Sequence, residues 1–128
     1  MMLNRFFKIM LIVITLFSLS DAHAFAKPVD DLLVSSVRSY DIKLVKQAIT
    51  KGANVNQLDK DGETPLINLV HRSDKSNANA VKIAKILVNA GADRMIGNKE
   101  GKTALQYAAE KKWDSMIAIL LPLLPCCR

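Results

Sequence analysis

From Asp30 onward, apolar residues recur at helical spacing in short blocks separated by polar, glycine-bearing stretches. Leu33 and Val37 mark a first amphipathic helix, and Ile42, Val45 and Ile49 a second over Asp41 to Lys51, with a break near Ser39-Tyr40. Asp30 and Asp31 suit the positive end of the first helix. Thr64 to Val70 predicts a third helix, and Ala80 to Ala90 a fourth that turns Ile83, Ala84, Leu87 and Val88 inward. Ala108-Ala109 and then Trp113, Ile117, Leu120 and Leu121 continue the alternation as a final pair.

The stretches between these helices are copies of each other. Gly52 to Leu66 (GANVNQLDKDGETPL) recurs thirty-nine positions later as Gly91 to Leu105 (GADRMIGNKEGKTAL), with six identities in fifteen positions and three Asn/Asp or Asp/Glu exchanges, so the chain is a repeat protein. Gly52 and Gly91 stand just past an apolar helical run, where a residue of positive φ closes a helix without a Cβ clash. Gly62 and Gly101 supply a turn ten residues on. Thr64 or Thr103 then caps the next helix, with Pro65 at the first helical position of one copy. Between stop and start there is room for a polar excursion the size of a two-stranded finger.

The residues Gly91-Ala92-Asp93, Asp61-Gly62, Thr64-Pro65-Leu66 and Thr103-Ala104-Leu105 resemble the ankyrin repeat family. The resemblance covers roughly Asp30 to Leu121 and implies an all-α helical solenoid of about three repeats with β-hairpin fingers. A first repeat, Asp30 to Asp59, lacks its opening hairpin; a complete second runs from Lys60 to Asn98; a third, Lys99 to Leu124, is cut short after its second helix. Residues 25–29 form a lead-in and 125–128 a tail. The sequence departs from the family pattern at Ile67 and Gln106, where a His is usual, and at Ala104, where a Pro is usual. The second repeat exceeds the family's length of about 33 residues, and its excess falls in His71 to Asn79. Asn68, at a usually apolar position, reads as a hydrogen-bonded structural residue.

The first two dozen residues read as a signal peptide. Arg5 and Lys8 precede an apolar run from Ile9 to Leu19, and Ala22-His23-Ala24 offers small residues around a cleavage point before Phe25. A transmembrane anchor needs about 20 apolar residues, more than this run provides. The expected location is periplasmic or secreted, and the compact signal with a short Lys-rich chain suggests a bacterial source. Cleavage removes two of 18 basic and one of 12 acidic residues, leaving a balance of +5.

Candidate chemistry is sparse. After cleavage His71 is the one remaining His, too few for a Ser-His-Asp arrangement or a multi-His metal site, and the glycines are not grouped as a phosphate-binding loop. Asp59, Asp61 and Glu63 alternate as in a calcium loop, but Lys60 is interleaved and finger polarity accounts for them. The basic excess is interleaved with acids and lacks an aromatic platform, which argues against nucleic acid. Cys126 and Cys127 are adjacent, a spacing that pairs only through a strained ring, so they stay free or form an intermolecular disulfide.

No catalytic, cofactor or metal residue is therefore expected, and the chain reads as non-enzymatic. The resemblance implies a module that binds another protein through its finger tips and the solvent side of its inner helices. In the second repeat these are Leu58, Lys60, Glu63, His71 and Arg72; in the third, Lys99, Lys102, Glu110 and Lys111. The alternatives are a membrane-surface protein held by an uncleaved N-terminal segment and an inhibitor or immunity partner of an exported enzyme, a role that some exported proteins of this resemblance fill.

Overall fold

A computed structural model describes residues 28–121. The expected signal peptide, the lead-in up to residue 27, and the tail from 122 with its two Cys lie outside the described residues. Six helices follow one another: α1 (Pro28–Arg38), α2 (Ile42–Thr50), α3 (Pro65–Arg72), α4 (Ala78–Asn89), α5 (Ala104–Glu110) and α6 (Asp114–Leu120). The inner helices α1, α3 and α5 pack in one row and the outer helices α2, α4 and α6 in a second.

Local chemistry sets most of the boundaries. Asp41, Thr64, Asn77 and Thr103 each accept backbone N–H groups at the start of α2, α3, α4 and α5, and Pro65 occupies the first turn of α3. Gly52 and Gly91 close α2 and α4 at φ of 88° and 95°. Where the family pattern carries His, Gln106 accepts the Thr103 N–H at 2.8 Å while Thr103 Oγ1 accepts from Gln106, a reciprocal cap; Ile67 is buried instead. The first helix begins two residues earlier than Asp30, at Pro28, whose fixed φ suits a first turn.

The fingers hold no strand among the described residues, only an isolated antiparallel bridge between Gly97 and Thr103. Each contracts instead to a five-residue loop wound on one side chain. Asp59 Oδ1 accepts the N–H groups of Asp61 and Glu63, and the Asp59 N–H donates to the Glu63 carbonyl. Asn98 repeats every one of these bonds with Glu100 and Lys102. A side chain that satisfies two backbone donors removes the need for a partner strand.

Between the layers lies one continuous core, in which Leu33, Val45, Leu66, Leu69, Ile83, Leu87, Met116 and Leu120 are fully enclosed. Each such side chain contributes about 1.5–3 kcal/mol by leaving water. Val88 and Ile117 are half-buried, and Leu121 is exposed at the end of α6. Inner and outer helices are joined in the first and third repeats by tight turns through Tyr40 and Lys112, at φ of 56° and 51°. In the second repeat the extra residues replace that turn with a longer link between Arg72 and Ala78.

Candidate partner-binding face

Inner helices and finger loops form one side of the stack, and four of the nine residues expected to meet a partner, Glu63, His71, Lys102 and Glu110, gather there around Tyr107 on α5. The His71 ring stacks on that of Tyr107, with centroids 4.5 Å apart and planes 22° from parallel, and the Lys102 ammonium lies 4.6 Å from the Tyr107 ring centre. Glu63 Oε1 is 2.7 Å from His71 Nδ1, and one repeat later Lys102 Nζ is 2.7 Å from Glu110 Oε1. These two pairs occupy the same positions of successive repeats with the acid and the base exchanged. The Lys102 pKa is raised above 10.5, first by its bond to Glu110.

Two members of the expected set are turned to internal work. Glu63 is 4 % exposed, and its second oxygen accepts from Asn68, so this carboxylate anchors α3 rather than facing solvent. Lys111 sends its ammonium across to the preceding repeat, 2.8 Å from the Val70 carbonyl, 2.6 Å from that of His71 and 2.8 Å from that of Ser73. Three donors meet three acceptors at the C-terminal end of α3, where carbonyls lack intrahelical partners. Burial there pushes the Lys111 pKa below 10.5, with Asp74 opposing.

The remaining cations are lightly engaged. Arg72 lies 3.8 Å from Asp61, both well exposed, and Lys99 Nζ donates to the Lys60 carbonyl at 2.7 Å. Leu58 and Lys60 line a cleft of about 500 Å³ between α1 and the loop Gln57 to Asp61, apart from the Tyr107 group.

Asn68, the hydrogen-bonded structural residue that the sequence predicts, ties the second repeat to its loop, while the parts of Asp59, Asn98 and Tyr107 in that tie are not evident from the sequence reading. Asn68 donates to Asp59 Oδ2 at 2.9 Å and accepts from Arg38 Nε at 3.4 Å, while Arg38 also reaches Asp59 at 3.2 Å. Asn98 donates to the Tyr107 hydroxyl at 3.0 Å, joining the same two positions one repeat on with the donor now on the loop. The thirty-nine-residue period pairs Asn68 with Tyr107 and Asp59 with Asn98, so the signal was present in the alignment of the two copies. Only Asn68 was read as structural.

The repeat pattern and the fold are shared with known proteins. The family pattern described as ankyrin repeats in three copies matches residues 33–125. A human 2-5A-dependent ribonuclease is 38% identical over 79 residues, covering 61% of this chain and 10% of that protein. An ankyrin repeat and LEM domain-containing protein 1 homolog of Caenorhabditis elegans is 33% identical over 76 residues, or 59% of this chain and 10% of the relative. The crystal structure of an ankyrin repeat domain from Acinetobacter baumannii superposes with a TM-score of 0.66 at 26% identity, over 69% of this chain and 44% of that one. The ankyrin repeat domain of Bcl-3, of the IkappaB protein family, gives 0.59 at 26% identity over 69% and 35%. This chain thus spans about a tenth of those curated relatives. With its three repeats matched by pattern and by fold, it belongs to the ankyrin repeat family, whose members are in general protein-protein interaction modules.

Proposed function

We propose that this chain is an exported, non-enzymatic module that holds a partner protein on the side formed by its inner helices and finger loops. The observation that carries the reading is the continuity of that side: α1, α3 and α5 lie in one row with both loops beside them, and Leu58, Lys60, Arg72 and Lys99 remain exposed along it. A stack of short helices meets a macromolecule on an extended surface rather than in a deep pocket. The ribonuclease activity in one relative's name is not part of the proposal, because the match spans a tenth of that protein. Export rests on Arg5, Lys8, the apolar run Ile9 to Leu19 and Ala22-His23-Ala24.

The test pairs two reversals. Arg72→Glu with Lys99→Glu weakens a partner recovered from the cell envelope by more than about tenfold, or 1.4 kcal/mol. Lys46→Glu with Lys85→Glu, on the outer helices, costs little beyond long-range steering. Greater damage from the outer pair at equal folding stability overturns the face. A reporter active only outside the cytoplasm, fused behind residues 1–24, scores positive if export is right and stays silent if it is wrong.

A further inference from the structure

The cleft between α1 and the second repeat's loop differs in character from the rest of the inner face. Around Tyr107 the polar groups are already partnered, Glu63 with His71 and Asn68 and Lys102 with Glu110, and Lys111 is consumed by carbonyls. The cleft instead combines apolar and acidic groups in about 500 Å³ of space. Val34 comes from α1 and Leu58 from the loop, where Leu58 is 49 % exposed. Of its charged lining residues four are aspartates and two are cations, a negative balance on a chain whose formal net charge is +6.

These four carboxylates are not equivalent. Asp30 is buried and accepts the Asn54 N–H at 2.7 Å, and Asp59 is occupied by Arg38, Asn68 and two backbone N–H groups. Among the described residues Asp31 makes no hydrogen bond to a side chain, and the Asp61 side chain, 65 % exposed, has only the long 3.8 Å approach of Arg72. The open carboxylates thus belong to opposite walls, Asp31 to α1 and Asp61 to the loop, with Val34 and Leu58 on the same two walls.

We propose that this cleft receives a lysine or arginine side chain carried on an extended segment of a partner protein, its alkyl stem against Val34 and Leu58 and its charge between Asp31 and Asp61. Long basic side chains are amphipathic in this way, with a stem that buries and a head that seeks charge. A purely apolar side chain leaves both carboxylates unanswered, and an acidic one is repelled. The assignment rests on the protein-binding reading and names the partner's chemistry.

The experiment uses the full chain and synthetic eight-residue peptides that differ only at one central position, filled by Lys, Arg, norleucine or Glu. Lys- and Arg-centred peptides bind about tenfold tighter than the other two, and Asp31→Asn with Asp61→Asn abolishes that preference while the melting temperature holds. Leu58→Ser weakens the basic peptides without restoring the acidic one. No basic preference, or one that survives the double variant, overturns the cleft assignment. Dimerisation of the full chain that disappears in the double variant assigns the cleft to a second copy and equally overturns it. Failure of every peptide also removes the cleft as a receptor, whereas the protein-binding reading falls only with the paired charge reversals above.

Discussion

Lys111 Nζ lies 2.6 Å from the carbonyl oxygen of His71, a residue forty positions earlier at the end of the preceding repeat's inner helix. The longer link in the second repeat leaves the carbonyls of Val70, His71 and Ser73 pointing at α5's end, and one ammonium answers all three. Lys111→Met removes the donor and leaves partly buried acceptors unmatched, so denaturant unfolding shows a loss of about 2 kcal/mol. Lys85→Met, on an exposed position of α4, serves as the control and changes little. Equal stability of the two variants refutes the staple.

The Lys102–Glu110 pair tests the reverse case, an exposed contact. Because the folded-state pKa of Lys102 is raised above 10.5, the folded chain holds this proton more firmly than the unfolded chain. The pair's contribution is therefore fully present below 10.5 and fades only as pH rises through the folded value. Glu110→Gln lowers the melting temperature by a small amount that is constant from about pH 7 to 10 and shrinks with added salt. A difference that grows with pH in that range contradicts the sign.

How far the sequence revealed this arrangement depends on the distance over which each signal acts. Caps and stops are local: Asp41, Thr64, Gly52 and Gly91 act within a turn of their own helix, and the element order follows from them. The fingers were read as hairpins because their polar, glycine-bearing stretches fit one; that a single Asp59 or Asn98 side chain holds each loop closed depends on a rotamer, which no pattern encodes. Glu63 and Lys111 were read as surface charges because alternation with opposite charges is the mark of a solvated face. Their partners are a ring eight residues on and carbonyls some forty residues back, contacts that exist only once repeats stack.

Lys112 carries the turn from α5 to α6 at φ of 51°, a conformation that costs a residue with a Cβ roughly 1 kcal/mol. Lys112→Gly relieves that strain and raises stability by up to about 1 kcal/mol in chemical denaturation, less the entropy that glycine adds to the unfolded chain. Tyr40→Gly, at φ of 56°, does not share the gain, because the Tyr40 ring packs against the core. A gain at Tyr40 and a loss at Lys112 would reverse the argument.

Gly97, at the end of the second repeat, and Gly101, at the start of the third, are needed for different reasons. A Cβ on Gly97 meets the Gly101 carbonyl carbon at 2.7 Å, whereas one on Gly101 meets nothing within 4 Å but sits at φ of 76°. Gly101→Asn is therefore the milder change, since Asn tolerates the left-handed region. Gly97→Ala forces backbone apart and costs about 1–3 kcal/mol. Comparing the two variants by thermal unfolding decides the point: a Gly97→Ala as stable as Gly101→Asn removes the close approach.

Asn68 is the most exacting position in the second repeat, because its amide is placed among charges of both signs. Its Nδ2 donates to Asp59 at 2.9 Å and to Glu63 at 3.3 Å, and its Oδ1 faces Arg38 at 3.4 Å. Leucine at this position fits the apolar pattern of the inner helix yet leaves two inward-facing carboxylates short of a donor, a cost of about 2–3 kcal/mol. Asn68→Asp is worse at neutral pH despite nearly equal volume, since it sets a third carboxylate beside the other two with only Arg38 to offset them. The introduced carboxyl, set beside two others, holds its proton more tightly in the folded than in the unfolded chain, so the variant's deficit shrinks as pH falls toward about 5. Urea unfolding of wild type, Asn68→Leu and Asn68→Asp at both pH values separates the causes. A deficit for Asn68→Asp that does not change with pH would mean that lost packing, not charge, makes Asn the residue this position requires.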